Sequence, residues 1–127
     1  DYGLHMGLAF QLSDDLLDYV GDPAKTGKAV GTDLREGRAT LPFLYGLRHA
    51  SDGARERLLS SFANPTLREA TISTVIRTLD TLGAFSHAQA VAKEHAEAAQ
   101  KALEALEESA YRQALSDLAD YVVNRDR

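Results

Sequence analysis

Leucine recurs at every fourth position near the start of the chain, from Leu4 to Leu16. This spacing places the side chains along one side of an α-helix, because a helix turns once in about 3.6 residues. We therefore predict a helix over residues 2–20. Gly21 follows it and is typical of a residue at which such a helix ends.

The rest of the sequence is dominated by residues that favour helices. Residues 50–127 are rich in Ala, Leu, Glu and Arg, and strand-like alternation of β-branched residues is scarce. The Asp52-Gly53 pair lies between helical patterns and not between two strands. The sequence thus predicts an all-α fold. Further helices are expected at about residues 41–50, 52–62, 67–82 and 86–108, with a last one from Ser109 or Ala110.

Glycines and candidate capping residues indicate where the predicted helices begin and end. Four glycines within residues 21–39 predict an ordered loop without a regular helix of any length. Thr40, Asp52 and Thr66 are interpreted as the N-caps of the helices that follow them.

Apolar spacing predicts which side chains of the last two helices face the core. In the long alanine-rich helix they are expected to be Val91, Ala98, Ala99, Ala102, Leu103 and Leu106, and in the final helix Leu115, Leu118, Tyr121 and Val122. Tyr19 is also expected in the core, His5 in packing or at the surface, and His49, His87 and His95 at the surface.

Overall charge and composition narrow the range of partners. The formal net charge is −5 and the pI is near 5.3, so nucleic acid is not expected as a partner. No run of about 18 apolar residues is present, so no membrane span is expected. The chain has no cysteine, which excludes disulfides, thiolate metal sites and cysteine nucleophiles. With no signal peptide visible, we expect a cytoplasmic protein.

Three aspartates near the end of the first predicted helix are the main candidates for chemistry. Asp14 and Asp18 are four residues apart and Asp15 and Asp18 are three apart, so the carboxylates share one helical face. Like charges at these spacings cost about 0.2–0.5 kcal/mol per pair, and a helix C-terminus disfavours anions. A hard cation such as Mg²⁺, which prefers oxygen ligands, would offset both effects. The alternative is a solvated acidic face without a ligand.

The loop after this helix is basic and rich in glycine. It carries Lys25, Lys28, Arg35 and Arg38, together with Asp33. Cationic side chains beside a magnesium site, with backbone amides exposed by glycine, are suited to holding a diphosphate.

One longer pattern joins the helix to the loop. Residues 7–18 read GLAFQLSDDLLD, followed by Gly21-Asp22, Gly27-Lys28, GTDL at 31–34 and EGRATLP at 36–42. In order and spacing these residues resemble the second aspartate-rich motif and downstream loop of the trans-isoprenyl diphosphate synthases, the polyprenyl synthetase family. Arg38 stands where this family more usually has lysine. The resemblance is strong through residue 45 and continues by helix pattern over the rest of the chain.

The resemblance implies a fold and a reaction. Members of the family are antiparallel helix bundles, of which residues 1–127 would be the C-terminal half. The implied activity is that of a polyprenyl diphosphate synthase of the farnesyl or geranylgeranyl type. Such an enzyme performs the Mg²⁺-dependent 1'-4 condensation of isopentenyl diphosphate with an allylic diphosphate, and Mn²⁺ is a possible substitute for Mg²⁺.

The resemblance also implies roles for individual residues. Asp14 would be a direct metal ligand, and Asp15 and Asp18 would complete the metal site directly or through water. Lys28 would contact the allylic diphosphate and, with the three aspartates, would form the catalytic group.

Further residues of the motif would bind or support the substrate. Phe10 and Gln11, one turn before the acidic cluster, would line the cavity near the reacting carbons. Asp33 would support the metal-bound waters or Lys28.

A first aspartate-rich motif and the upstream basic residues that bind isopentenyl diphosphate are absent from this sequence. We therefore expect a segment that is inactive by itself and belongs to a larger synthase, which in this family is usually a homodimer. Two alternatives remain open: a non-catalytic small subunit that partners a full-length synthase, and a helical interaction module. Product chain length is not encoded in these residues.

Overall fold

The computed structural model describes residues 1–21 and 30–124. Within these ranges the regular structure is helical and contains no strand, which confirms the all-α prediction. The α-helices are α1 (Tyr2–Val20), α2 (Thr32–Glu36), α3 (Leu41–His49), α4 (Asp52–Ser61), α5 (Glu69–Thr81), α6 (Ala84–Ala102) and α7 (Ala110–Val123), with a 3₁₀ turn at Leu103–Ala105. None of these helices is long and apolar enough to cross a membrane.

Helix α1 has the predicted bounds. At its start, the Asp1 carboxylate accepts a hydrogen bond from the backbone N–H of Gly3 at 2.9 Å. At its end, the backbone N–H of Gly21 donates to the carbonyl of Leu17 at 2.7 Å. Both ends therefore have partners for backbone groups that a helix leaves unpaired.

The most extensive helix contact is that between α1 and α6, and α7 packs against both of them. Small residues form the centre of this three-helix contact: Ala9 of α1, Ala92 and Ala96 of α6, and Ala119 of α7 are all buried. Side chains of this size let the helix backbones approach closely. The alanine-rich composition of α6 thus brings α1 against the C-terminal part of the chain.

A second and larger core lies around α3, α4, α5 and the start of α6. Its largest fully buried members include Tyr19, Phe43, Leu58, Ile72 and Leu79. Leu16 and Tyr19 bring the C-terminal half of α1 into the same core. The acidic residues of α1 are therefore carried by a helix that is anchored along most of its length.

The loop prediction for residues 21–39 is wrong in one part, because residues 32–36 form the short helix α2. Gly31 and Gly37 flank it with left-handed φ angles of 82° and 77°, so the glycines bound a helical turn and do not prevent one. Leu34, which is fully buried, anchors this turn on the core. Residues 22–29 of the predicted loop lie outside the described residues.

Two of the predicted N-caps are wrong. Helix α4 is capped by Ser51, whose hydroxyl accepts from the backbone N–H of Ala54 at 3.3 Å, and Asp52 is its first helical residue. Thr66 lies before α5 in a local turn, where its N–H and hydroxyl both donate to the Asn64 side chain. Ser51 thus replaces Asp52 as the cap of α4, whereas α5 begins after Arg68 without a side-chain cap.

The prediction of which side chains of α6 and α7 face the core is wrong in part. Helix α6 ends at Ala102 and not near residue 108, and Leu106 is 53% exposed. Its buried side chains are those of Ala84, Phe85, Ala88, Ala92, Ala96 and Ala99. In α7, Val122 is buried as predicted, but Leu118 is 46% and Tyr121 66% exposed. The helices turn their small residues inward because the contact with α1 leaves little room for large ones.

Candidate functional site

The end of α1 is tied to α2 through Asp18. Oδ2 of the Asp18 carboxylate accepts a hydrogen bond from the backbone N–H of Asp33 at 3.0 Å. The backbone carbonyl of Asp18 accepts from the N–H of Gly31 at 2.9 Å. Asp18, which precedes segment 22–29, is thus bonded to two residues that follow it. The segment itself lies outside the described residues.

Asp33 is the most buried carboxylate of this junction, with only 7% of the residue exposed. Its Oδ1 lies 3.5 Å from Nη1 of Arg38, and its backbone carbonyl accepts from the Arg38 N–H at 2.8 Å. The Arg38 side chain remains 67% exposed and also contacts Glu36 at 3.1 Å. An arginine that is mostly in solvent but touches a buried carboxylate is placed to meet an anionic ligand at the same site.

Asp15 is partly buried on α1, and Gln11 donates to its Oδ1 at 2.9 Å. Burial raises the pKa of Asp15 above its usual value, while the hydrogen bond from Gln11 opposes that rise. The charges of Asp33 and Asp14 raise the pKa further, and Arg38 lowers it. The end of α1 is therefore a region of excess negative potential made of oxygen donors.

The predicted site residues fall into three groups. Gln11, Asp15, Asp18 and Asp33 are linked through contacts or charge, with Asp14 close enough to Asp15 to affect its pKa. Phe10 lies one turn earlier on α1 and is 49% exposed. Lys28 lies outside the described residues, as does Lys25.

Arg35 has a different role from the one expected of the basic loop. Its Nε and Nη2 both donate to the backbone carbonyl of Leu67, at 3.2 and 2.9 Å. The guanidinium is thereby used to hold the segment before α5 against α2. Of the two arginines of the loop, Arg38 is the one that contacts the acidic junction.

The donor set at the end of α1 suits a hard divalent cation. The part of the chain that the structure describes contains no cluster of three or more carboxylates, histidines or cysteines able to hold a metal by themselves. Mg²⁺, however, usually keeps several waters and is bound through one or two carboxylates plus substrate phosphates. Carboxylates such as that of Asp15, whose pKa is raised by burial and further by the charges of Asp33 and Asp14, fit that mode of binding.

Two buried hydroxyls beneath the acidic cluster were not identified as site residues. Tyr19, predicted only as core, is 1% exposed, and its hydroxyl has no hydrogen-bond partner among residues 1–21 and 30–124. Burial raises its pKa, and the carboxylates of Asp18, Asp33 and Asp15 add to that effect. Thr40, predicted as an N-cap, also has a buried hydroxyl without a partner. Apolar periodicity carries no signal for either feature.

The histidines are placed away from the acidic cluster. His5 of α1 packs against His95 of α6, with their Nδ1 atoms 3.1 Å apart, so His5 has a packing role and His95 is partly buried beside it. His49 and His87 are exposed, as predicted, and their rings lie 4.1 and 4.5 Å from that of Tyr45.

Fold and site together define a class of protein: a helical bundle whose first helix ends in an aspartate cluster, locked to a glycine-flanked turn that carries a further aspartate and an arginine. The model of the family described as polyprenyl synthetase matches residues 1–79. The chain belongs to the polyprenyl synthetase family.

Curated relatives agree with this assignment. The short chain isoprenyl diphosphate synthase of Methanothermobacter thermautotrophicus is 43% identical over 126 residues, which are 99% of this chain and 38% of that protein. The octaprenyl diphosphate synthase of Escherichia coli is 37% identical over the whole chain and 39% of its own length. The chain thus spans less than two fifths of the relatives that it matches.

Solved structures are also similar. The polyprenyl synthase of Caulobacter crescentus, crystallised with calcium and isoprenyl diphosphate, has a TM-score of 0.92 and 36% identity over 100% of this chain and 39% of its own. The geranylgeranyl pyrophosphate synthase of Corynebacterium glutamicum, complexed with isoprenyl diphosphate and magnesium, has a TM-score of 0.90 and 30% identity, covering 98% of this chain and 36% of its own. The helical arrangement described above is therefore that of the family.

Proposed function

We propose that this chain supplies the C-terminal half of the active site of a prenyltransferase. The whole enzyme would join isopentenyl diphosphate to an allylic diphosphate by 1'-4 condensation in isoprenoid biosynthesis. The observation that carries the proposal is the junction of Asp15, Asp18 and Asp33, where the Asp33 N–H holds the Asp18 carboxylate and the charge of Asp33 acts on Asp15. The crystallised relatives with a divalent cation and isoprenyl diphosphate support it.

Asp14 is the proposed direct ligand of Mg²⁺, or of Mn²⁺ in its place, and Asp15 and Asp18 would complete the site directly or through water. The bound ion would supply Lewis-acid stabilisation of the negative charge on the diphosphate leaving group. The chain's own contribution is to orient the carboxylate oxygens. The backbone N–H of Asp33 donates to Asp18, and the side-chain amide of Gln11 donates to Asp15. Arg38 and Lys28 would add positive charge on the side of the diphosphate, Lys28 by direct contact.

In the proposed reaction the allylic C–O bond breaks, and the electron pair leaves with the diphosphate. The double bond of isopentenyl diphosphate attacks the resulting cation, and loss of a proton restores a double bond in a product that is five carbons longer. The departing diphosphate can accept this proton, so no general base is required from the described residues. Phe10 and Gln11, on the turn of α1 before the aspartates, would face the reacting carbons.

Binding of Mg²⁺ together with inorganic diphosphate tests the site directly. We expect the two ligands jointly to raise the melting temperature of the chain, and Asp14→Ala to abolish the increase. Asp117→Ala is the control, because it also removes a helical aspartate, one that accepts from Gln113 on α7 and does not belong to the acidic cluster of α1. If the wild-type chain gains no joint stabilisation, the acidic face is a solvated surface and the interaction-module alternative is favoured.

The chain alone is expected not to catalyse the condensation. It spans 38–39% of its curated relatives, and α1 leaves Leu4 59%, Leu8 39% and Phe10 49% exposed. Leu4 and Leu8 share one face of the helix, and Phe10 lies on another. Exposed apolar side chains of this kind are suited to packing against further helices of the same synthase or, in the alternative, of a partner synthase for which this chain is a small subunit. An assay with both diphosphates and Mg²⁺ should give no product from the 127-residue chain. Product formation would contradict the division of the active site.

A further inference from the structure

Thr40 occupies a capping position but does not cap. It precedes α3 with the extended backbone of an N-cap residue (φ −82°, ψ 166°), yet its hydroxyl accepts no hydrogen bond from the start of that helix. The hydroxyl is instead buried, within a residue that is 9% exposed, and has no hydrogen-bond partner in the part of the chain that the structure describes. Threonine at an N-cap usually contributes its hydroxyl to the helix. Its position here therefore calls for another partner.

That hydroxyl lies beside the hydroxyl of Tyr19. The two groups are near enough for Thr40 to lower the pKa of Tyr19, but they do not form a hydrogen bond of ordinary geometry. Tyr19 is 1% exposed, its ring packs against Phe85 at a centroid distance of 5.8 Å, and its hydroxyl is within electrostatic reach of Asp18, Asp33 and Asp15. Two buried hydroxyls thus face each other under the carboxylate cluster.

Buried polar groups of proteins are nearly always paired, with ordered water where no protein group is available. A water needs two to four polar partners, and the two hydroxyls and a neighbouring carboxylate supply three. The groups are complementary: each hydroxyl can accept or donate, the water can donate to a carboxylate, and the carboxylate only accepts. Phenylalanine and valine would fill the same space without any need for a partner, so the two hydroxyls have a use beyond packing.

We propose that Tyr19 and Thr40 hold one buried water against the Asp18 carboxylate and thereby act as positioning residues for the metal site. The Asp33 N–H restrains Asp18 through the backbone of α2. The water would add a restraint from the core side, so that Asp18 presents its oxygens toward the cation in a fixed orientation. This inference rests on the proposed function for the identity of the cation, but the buried water itself does not depend on it.

The test compares Tyr19→Phe, Thr40→Val and the double variant in the chain as it exists. The readout is the Mg²⁺ concentration that gives half of the diphosphate-dependent increase in melting temperature. Loss of a group that orients a metal ligand typically weakens metal binding by about 10–100-fold, so each single variant should raise this concentration about tenfold. Thr40→Ser keeps the hydroxyl and should restore the wild-type value. Tyr45→Phe, which removes a hydroxyl away from the cluster, should leave it unchanged.

A second measurement needs no metal. Urea unfolding without Mg²⁺ gives the free energy of unfolding of the single and double variants. If the two hydroxyls share a water, the first substitution releases it, and the second substitution then lowers the free energy of unfolding by less than it does in the wild-type chain. If no water is present, each substitution should leave the free energy of unfolding unchanged or raise it, and the two effects should add in the double variant.

The two measurements separate the outcomes. If the wild-type chain responds to Mg²⁺ and diphosphate but the variants respond at the same Mg²⁺ concentration, the positioning role is overturned and the proposed function stands. If the wild-type chain does not respond, the proposed function fails, and the unfolding data alone decide the water: coupling supports it, and additive or stabilising effects overturn it.

Discussion

The backbone N–H of Asp33 donates a 3.0 Å hydrogen bond to the carboxylate of Asp18, which lies fifteen residues earlier in the chain. The carbonyl of the same Asp18 accepts from Gly31, so this aspartate fastens the end of α1 to the start of α2. Asp18 therefore has a structural function besides its proposed role as a metal ligand.

Asp18 should consequently contribute more to stability than an exposed carboxylate on another helix. A hydrogen bond to a charged group contributes about 1.5–3 kcal/mol, so Asp18→Ala should lower the free energy of unfolding by about that amount. Glu94→Ala, on the exposed side of α6, should change it by less than about 0.5 kcal/mol, because it alters a surface position and introduces a strong helix former. Urea unfolding without metal measures both. Equal losses in the two variants would show that the Asp18–Asp33 bond contributes little.

Asp15 should make stability depend on pH. Its pKa in the folded chain lies above the usual 3.8, because burial and the charges of Asp33 and Asp14 disfavour the ionised form. The resulting cost is complete above the folded-state pKa and disappears below the unfolded value. Asp15→Asn, which keeps an acceptor for Gln11, should therefore raise the free energy of unfolding at pH 7 by up to about 0.5 kcal/mol.

The advantage of Asp15→Asn over the wild type should shrink as the pH falls and vanish below about pH 4. Unfolding measured at several pH values between 7 and 3.5 gives this difference directly. A difference that stays constant with pH would mean that the substitution acts through packing and not through charge.

The first helix and its acidic face could be predicted because they depend on short-range spacing. Leucines four residues apart and Gly21 define α1, and the same periodicity places Asp14 and Asp18 on one face. The polyprenyl synthetase assignment follows from residues in a fixed order, which a single sequence displays completely.

The parts that could not be predicted depend on contacts between distant segments. Alanine occurs on several faces of α6, so apolar spacing gave little contrast: Ala99 and Leu103 are buried as predicted, but Ala92 and Ala96 of the same stripe were missed. The burial of the Tyr19 and Thr40 hydroxyls is set by how α1 meets the segment before α3. The bond from Asp33 to Asp18 requires the chain to return on itself, and spacing along the sequence does not reveal such a return.

Two helical glycines should respond to alanine in opposite directions. A Cβ at Gly46 of α3 would collide with the Leu79 side chain, which is fully buried and cannot move aside freely. A Cβ at Gly7 of α1 would meet nothing within 4 Å. Gly7→Ala should thus stabilise the isolated chain by about 0.5–1 kcal/mol through helix propensity alone. Gly46→Ala should lower the free energy of unfolding by about 1–2 kcal/mol, because the cost of overpacking exceeds the gain in helix propensity. Chemical unfolding of both variants checks the signs, and stabilisation by both would refute the close contact of α3 with α5.

The contact of α1 with α6 and α7 should tolerate little increase in volume. Ala96 is 3% exposed and lies in the small-residue core with Ala9 and Ala119, whereas Ala90 lies on the exposed side of the same helix. Ala96→Leu should cost about 1–3 kcal/mol or more, since a larger side chain there pushes α1 away from α6. Ala90→Leu adds the same atoms at the surface and should change stability by no more than about 0.5 kcal/mol.

Because α1 carries the aspartates, Ala96→Leu should also weaken the joint stabilisation by Mg²⁺ and diphosphate, while Ala90→Leu should leave it intact. Unfolding and melting measurements on this pair would contradict the close packing of α1 on α6 if the two variants behaved alike.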